Sequence, residues 1–391
     1  MFNFTSGFSF LGFEKASGIA RFRNNSVKMD TGVDFLNLLD YDVSVKILTC
    51  LEDPSDLARA SAVSRSWRNF VIASGLCKQL CLRMFPLLRR VDCVIEPRSE
   101  VGCSKSVEWE KLETEHRAYA FLAHSCTSFP LRDCLSDALC ASSTDNYPEE
   151  SVRNTLLPGD RVARSASYWS STGQSNPAVP ETLVYKLLAD ICVITEIYVQ
   201  PFQAYFQWGL PIYSAKAVRF RMGHPKAPMG DMPEPFDGCA DDKYVWTYTS
   251  PEFPMSQESQ LQKFKLPEPV LCVGGVLLVE LLGRVQRQEM DGLYYICVSH
   301  VKVVGRPLSN VFAAEISEPS GKFALRAISY TPPIQKVDED KQDPVPGRQR
   351  RIRDLEQIVN MLRERGVQIG EYIWDGEEDE EDDESDEDFV L

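Results

Sequence analysis

The sequence predicts an α+β multidomain protein: a small all-α module, an all-β jelly-roll sandwich, then a C-terminal helix and a disordered acidic tail. Three observations predict it. Between Asp34 and Pro86 apolar residues recur at steps of three and four, the period of helices. From residue 133 to 308 they alternate or cluster in short runs broken by Pro and Gly, the pattern of strands in a sandwich or barrel. Glu377 to Asp388 holds eleven acids and one serine, which have nothing to bury and repel one another.

With 391 residues the chain is long enough for several domains and a real core. Its net charge of −15 falls to −4 once those eleven acids are set aside, so the body is nearly balanced. A nucleic-acid binder would show a basic face instead. The twelve cysteines form no CxxC pair and only four histidines are present, so no zinc spacing can be assembled and no metal or cofactor is expected. Unpaired cysteines of this kind suit a reducing compartment, and the expected location is the cytoplasm, the nucleus or both. No run is long and apolar enough for a membrane span; the longest, Val270 to Leu282, is interrupted by Glu280 and reads as one core strand.

In the helical module, Val43, Ile47, Leu48 and Leu51 share one face of a first helix. Asp53 is placed to cap a second helix that Pro54 opens, with Asp56 where a capping-box acid would sit. A third segment, Val63 to Val71, brings Val63, Trp67, Phe70 and Val71 within one or two turns. So small a set of helices buries too little surface to be comfortable alone, and it calls for a partner. The ordered set resembles the F-box, through which substrate receptors dock on the Skp-type adaptor of a cullin–RING ubiquitin ligase. The matching residues are Leu39 and Asp42, then Ile47-Leu48 and Leu51, Asp56-Leu57, and Val63-Ser64-Arg65-Ser66-Trp67-Arg68. Asp40 departs from the usual Pro, and Cys77 from a second common Trp. The resemblance implies an adaptor-binding set of Leu39, Val43, Ile47, Leu48, Leu51, Leu57, Val63 and Trp67. A lone Trp67 would suit an ordinary three-helix corner; the whole set in register favours docking.

Residues 91–105 carry Pro, Gly, Ser and mixed charge and read as a connector. Val107, Trp109, Leu112, His116, Tyr119, Ala120 and Ala123 then mark a helix. His116, His124 and Cys126 lack a further metal ligand and read as packing or surface residues. Strand signals follow at Thr182–Leu187, Ile191–Val199, Val218–Met222, Tyr244–Thr249, Phe264–Leu266, Val270–Leu282 and Leu293–Val304. Ala141-Ser142-Ser143, Trp169-Ser170-Ser171, Leu183 with Leu187, the Ile-rich run to Val199 and a closing Val301-Lys302-Val303-Val304-Gly305 resemble the discoidin-type, galactose-binding-like jelly roll. Together the resemblances point to a plant-type F-box protein with such a sandwich. Residues 311–329 are weakly patterned, and 348–366 read as an amphipathic helix.

The expected organisation is an extension (1–33), the helical module (34–86), a helical connector (87–132), the sandwich (133–308), a linker (309–347), the amphipathic helix (348–366) and the tail (367–391). Aromatics between strands suit a sugar-stacking or peptide-clamping surface. The candidates are Tyr205, Phe206, Trp208 and Tyr213 in one loop, with Phe236 and Tyr244 in another; each loop reads equally well as a cap over the sandwich core. Asp237, Asp241 and Asp242 do not follow calcium-loop spacing. No nucleophile–base set or phosphate-binding Gly pattern is present, so a non-catalytic substrate receptor is expected. It would dock the Skp-type adaptor and, through it, cullin, and hold a target protein or its glycan. The alternative is a stand-alone lectin-like protein without a ligase role.

Overall fold

The computed structural model describes residues 34–96, 106–158, 166–227, 243–317 and 320–331. The expected N-terminal extension, the loop bearing Phe236, the helix of 348–366 and the acidic tail lie outside the described residues. The chain divides into a unit ending at Ile47 and a larger unit from Leu48 onward. In the first, Asp34 accepts from the Leu36 N–H at 3.1 Å and caps a single 3-10 turn. Helix α1 (Tyr41–Thr49) begins there and runs across the border.

In the larger unit, α2 (Pro54–Val63) starts as its sequence dictates, with Asp53 accepting from the Ser55 N–H at 2.7 Å and Pro54 in the first turn. Ser64 ends α2 and caps α3 (Arg65–Ala73) by accepting from the Trp67 N–H at 3.2 Å. Gly75, at φ 60°, provides the left-handed residue between α3 and α4 (Leu76–Met84). Strand β1 (Val91–Ile95) precedes α5 (Val107–Ser128), which Ser106 caps. Leu57, Val71, Ile72, Leu76, Leu80, Tyr119 and Leu122 are buried in this helical layer. The Cys81 thiol donates to the Tyr119 carbonyl at 3.2 Å, and Lys78 pairs with Glu115 at 2.9 Å, fastening α4 to α5. Burial pushes the Cys77 thiol up to about 11 and Cys81 well above its ordinary value, so both stay protonated and behave as small apolar residues.

The sandwich comprises β2 (Arg132–Asp133), β3 (Leu135–Ala141), β4 (Trp169–Ser170), β5 (Glu181–Leu187), β6 (Ile191–Gln203), β7 (Ile212–Tyr213), β8 (Ala215–Pro225), β9 (Tyr244–Thr249), β10 (Phe253–Pro254), β11 (Gln262–Val273), β12 (Val276–Arg284) and β13 (Cys297–Pro307). One antiparallel sheet runs β10-β8-β12-β5-β3, with β9 also on β8. The other runs β11-β6-β13-β2, with β7 on β6 and β4 on β13. Leu183, Tyr185, Phe220, Met222, Leu277 and Val279 of the first meet Ile194, Ile197, Val199, Phe264, Val301 and Val303 of the second in one core. Trp169 is wholly buried, its Nε1–H donating to the Ser143 carbonyl at 3.0 Å.

The apolar run Val270–Leu282, expected as one strand, is two. Gly274 (φ 96°) and Gly275 (φ 67°) divide it and carry the chain from the sheet of β11 to that of β12. A Cβ on Gly274 would lie 2.1 Å from that of His224, so the turn has room only for glycine. The segments expected as connector and as weakly patterned chain also hold structure. β1 pairs in parallel with β15 (Lys322–Ala327), which pairs antiparallel with β14 (Phe312–Ser317). Each of these strands is short and amphipathic, and β1's partner lies far along the chain, so no local pattern announces the sheet.

His116, on α5, is expected to make stability pH-dependent. Burial first, then the charges of Arg68 and Arg117, hold its pKa below the ordinary 6.5. As pH falls below 6.5 the unfolded chain takes up a proton that the folded chain resists, so stability declines toward the lowered folded value. Denaturation midpoints at pH 7.5 and 5.5 should therefore differ less in His116→Gln than in the wild type. An equal difference would contradict the account.

Candidate functional site

Among the described residues, exposed apolar side chains gather on at least two surfaces. The first is on the N-terminal unit. Val43 and Ile47 are one helical turn apart on α1 and stand 44% and 43% exposed, with Leu38, Leu39 and Tyr41 exposed just before them. An apolar row facing water on a short helix stabilises nothing in the fold and is costly to leave bare. In the larger unit Val63 is exposed at the end of α2, and Leu51 and Trp67 are half-buried. Leu48 and Leu57, expected at the docking surface, are buried in the core. Each falls on the inner side of its helix, turned away from solvent. Leu38 and Tyr41 were not singled out from the sequence, because they precede the helical period that marks Val43 and Ile47.

The second surface is one end of the sandwich. β7 folds back on β6, pairing Phe202 with Tyr213, so residues 204–211 form a tight tip. Ala204 N–H donates to Pro211 O at 2.9 Å, and Leu210 N–H to Gln207 O at 3.1 Å. Gly209 (φ 78°) and Leu210 (φ 50°) are both left-handed, a conformation that costs a leucine backbone strain. The turn throws Trp208 outward, 93% exposed. Beneath it Phe206 packs on Phe202 at 6.2 Å, and Phe202 stacks on Tyr168 at 3.8 Å. Tyr213 is buried, donates to Gln207 and meets Tyr295 edge-on at 6.3 Å.

These aromatic contacts bring two acid-bearing segments alongside the tip. The Tyr168 hydroxyl donates to Glu150 at 2.8 Å, and the Tyr295 hydroxyl to Asp291 at 2.5 Å. Burial, then the neighbouring Asp291, raises the Asp145 pKa, and burial raises that of Glu150. Burial also acts against ionised Asp291, but hydrogen bonds from Tyr295 and the Leu293 N–H hold its pKa below the ordinary carboxylate value. The same end therefore carries a solvated indole, exposed Met290 and carboxylates joined to the aromatic cluster beneath the tip. Aromatic faces with adjacent acceptors suit a hydroxyl-rich sugar or a basic peptide.

Of the six aromatic candidates, the structure brings together Tyr205, Phe206, Trp208 and Tyr213. Tyr205 and Phe206 are half-buried and Tyr213 is a support, so Trp208 is the presented ring. Tyr244 does not join them. It is buried on β9 with Val184, Val276 and Leu278, and its ring lies 5.3 Å from that of Trp246. The carboxylates were missed because Asp145, Glu150 and Asp291 are far apart in sequence and surrounded by ordinary turn residues. No described helix is long and apolar enough to cross a membrane.

A family model described as F-box-like matches residues 41–83. The F-box protein At4g00755 of Arabidopsis thaliana is 51% identical over 366 residues, covering 89% of this chain and 97% of that protein. Among solved structures, CBM32-3 from a family 31 glycoside hydrolase of Clostridium perfringens is 12% identical with a TM-score of 0.29, covering 43% of this chain and 90% of that one. The family 32 module of C. perfringens NanJ, in complex with galactose, is 10% identical with a TM-score of 0.27, covering 44% and 93%. With TM-scores this low, the sandwich is characterised by its own strand order.

Proposed function

The chain belongs to the F-box protein family, and from that premise we propose that it is the substrate-recognition subunit of a Skp–cullin–F-box ubiquitin ligase. F-box domains generally bind Skp1-type adaptors, and F-box proteins are typically non-catalytic. In this reading the helical module docks the adaptor and, through it, cullin. The Trp208 end of the sandwich holds a target protein or its glycan. The receptor supplies no acid or base; it raises the effective concentration of a target lysine at the charged conjugating enzyme. The role belongs to the cytoplasm or nucleus. What supports it is the apolar pair Val43 and Ile47 left facing water within the residues matched as F-box-like, with Leu39 exposed just before them.

The test is reconstitution. Mixed with a Skp-type adaptor and cullin, the full chain should co-elute with both as one species; a stand-alone lectin-like protein would elute by itself. For the target end, the full chain is applied to glycan and basic-peptide arrays. Trp208→Ala should lower the binding of any captured ligand about tenfold or more, as loss of a central aromatic anchor does, while Tyr244→Phe should leave it unchanged. Equal binding by wild type and Trp208→Ala would remove this end as the recognition surface.

A further inference from the structure

We infer that the groove between α2, α3 and α5 is a binding site for a small amphipathic carboxylate, a single acid group on an apolar body. The groove has a volume of about 740 Å³, the size of small-molecule sites. Its apolar lining includes Ala58 and Ala62 of α2 and Ala120 and Phe121 of α5. The polar side chains lining the rest are serines, arginines, histidines, Cys77 and Tyr330, with no carboxylate among them.

Two of those groups keep a side-chain polar atom without a partner among the described residues. Arg117 is already engaged, donating to Glu96 at 2.7 and 3.2 Å, and Glu96 also takes the Tyr330 hydroxyl. Arg68 makes no ion pair with any described residue. The buried Nδ1 of His116 has no hydrogen-bond partner among the described residues. A buried ring nitrogen left without a partner is costly, and the nearby Arg68 cation supplies the charge that makes a hydrogen bond to an anion strong. Burial keeps the His116 ring neutral, so it can present Nδ1–H as a donor while Arg68 carries the charge. One cation without an ion pair among the described residues balances one carboxylate, and the alanine and phenylalanine side chains take the apolar remainder. The chain's own acidic end is a poor match, since its eleven acids would bring ten charges that this groove does not neutralise. The site is independent of the receptor role.

The probe is 4-phenylbutanoate, with 4-phenylbutanamide as its uncharged counterpart, titrated into the full chain by NMR or calorimetry. The acid should bind at least tenfold tighter than the amide. Arg68→Gln should abolish that preference without moving the thermal midpoint, because Arg68 is exposed. Ala58→Trp, which fills the groove from another exposed lining position, should weaken both. Equal affinities in the wild type, no binding of the acid at millimolar concentration, or acid binding unchanged in both variants would overturn the assignment. Tighter acid binding after deletion of residues 377–391 would overturn it in favour of the acidic end as the occupant.

Discussion

Val43→Asp combined with Ile47→Asp is expected to weaken adaptor binding by about a hundredfold or more, roughly 2.7 kcal/mol, without unfolding the chain. Both residues are exposed on the same face of α1, so neither substitution opens a cavity. In a complex the same face would be buried against an apolar surface. Placing an unpaired carboxylate there costs several kcal/mol, or forces the interface apart. Val43→Ala with Ile47→Ala removes only contact area and should cost less, on the order of tenfold. Calorimetric titration with the adaptor measures both effects, and far-ultraviolet circular dichroism confirms that the helices remain. Leu48→Asp, by contrast, should damage the fold, because Leu48 is buried.

The second large effect is expected at Arg284. Its side chain is 0% exposed and pairs with Glu181, itself almost fully buried. The guanidinium also donates to Ser171 Oγ and Thr172 O at 2.9 Å, to Tyr294 O at 3.0 Å and to Val179 O at 3.2 Å. Glu181 in turn accepts from Ser142 and from Ser143 at 2.9 Å. One ion pair thus ties the ends of β5 and β12, the chain after β4 and the segment that leads out of the Asp291 turn toward β13. Arg284→Ala leaves a buried carboxylate unpaired and should destabilise the sandwich by about 3–5 kcal/mol. Arg284→Met with Glu181→Leu removes both charges and should recover much of that loss. Urea denaturation of the three proteins decides the matter; a double variant no more stable than Arg284→Ala would show that the charge is not the cause. The Asp291 turn is anchored by this cluster, so ligand binding at the Trp208 end should weaken in Arg284→Ala before the chain unfolds globally.

How far the sequence revealed these features depends on how local their causes are. The caps at Asp53 and Ser64 act over two or three residues, and the helices they start are legible from spacing alone. Strands with one wet face, such as β8, announce themselves by alternation. The Gly274-Gly275 break was not read, because an apolar stretch on both sides hides a change of sheet. The β1–β15 pairing was not read either, since it joins distant segments that are each unremarkable. On the helices proposed to dock an adaptor, periodicity collected Leu48 and Leu57 with Val43 and Ile47, but a period of three and four cannot tell which side of a helix meets its own core and which faces water. At the sandwich end, Trp208 was legible as a loop aromatic. The acids beside it were not, because Tyr168 and Tyr295 bring them together only in the folded chain.

Hydrogen–deuterium exchange of the full chain, with and without a Skp-type adaptor, tests the central claim most directly. The account predicts new protection concentrated in residues 39–67, strongest along α1, with residues 204–211 exchanging as before. Complex formation that protects other segments and leaves α1 unchanged, or no complex at micromolar concentration, would contradict it.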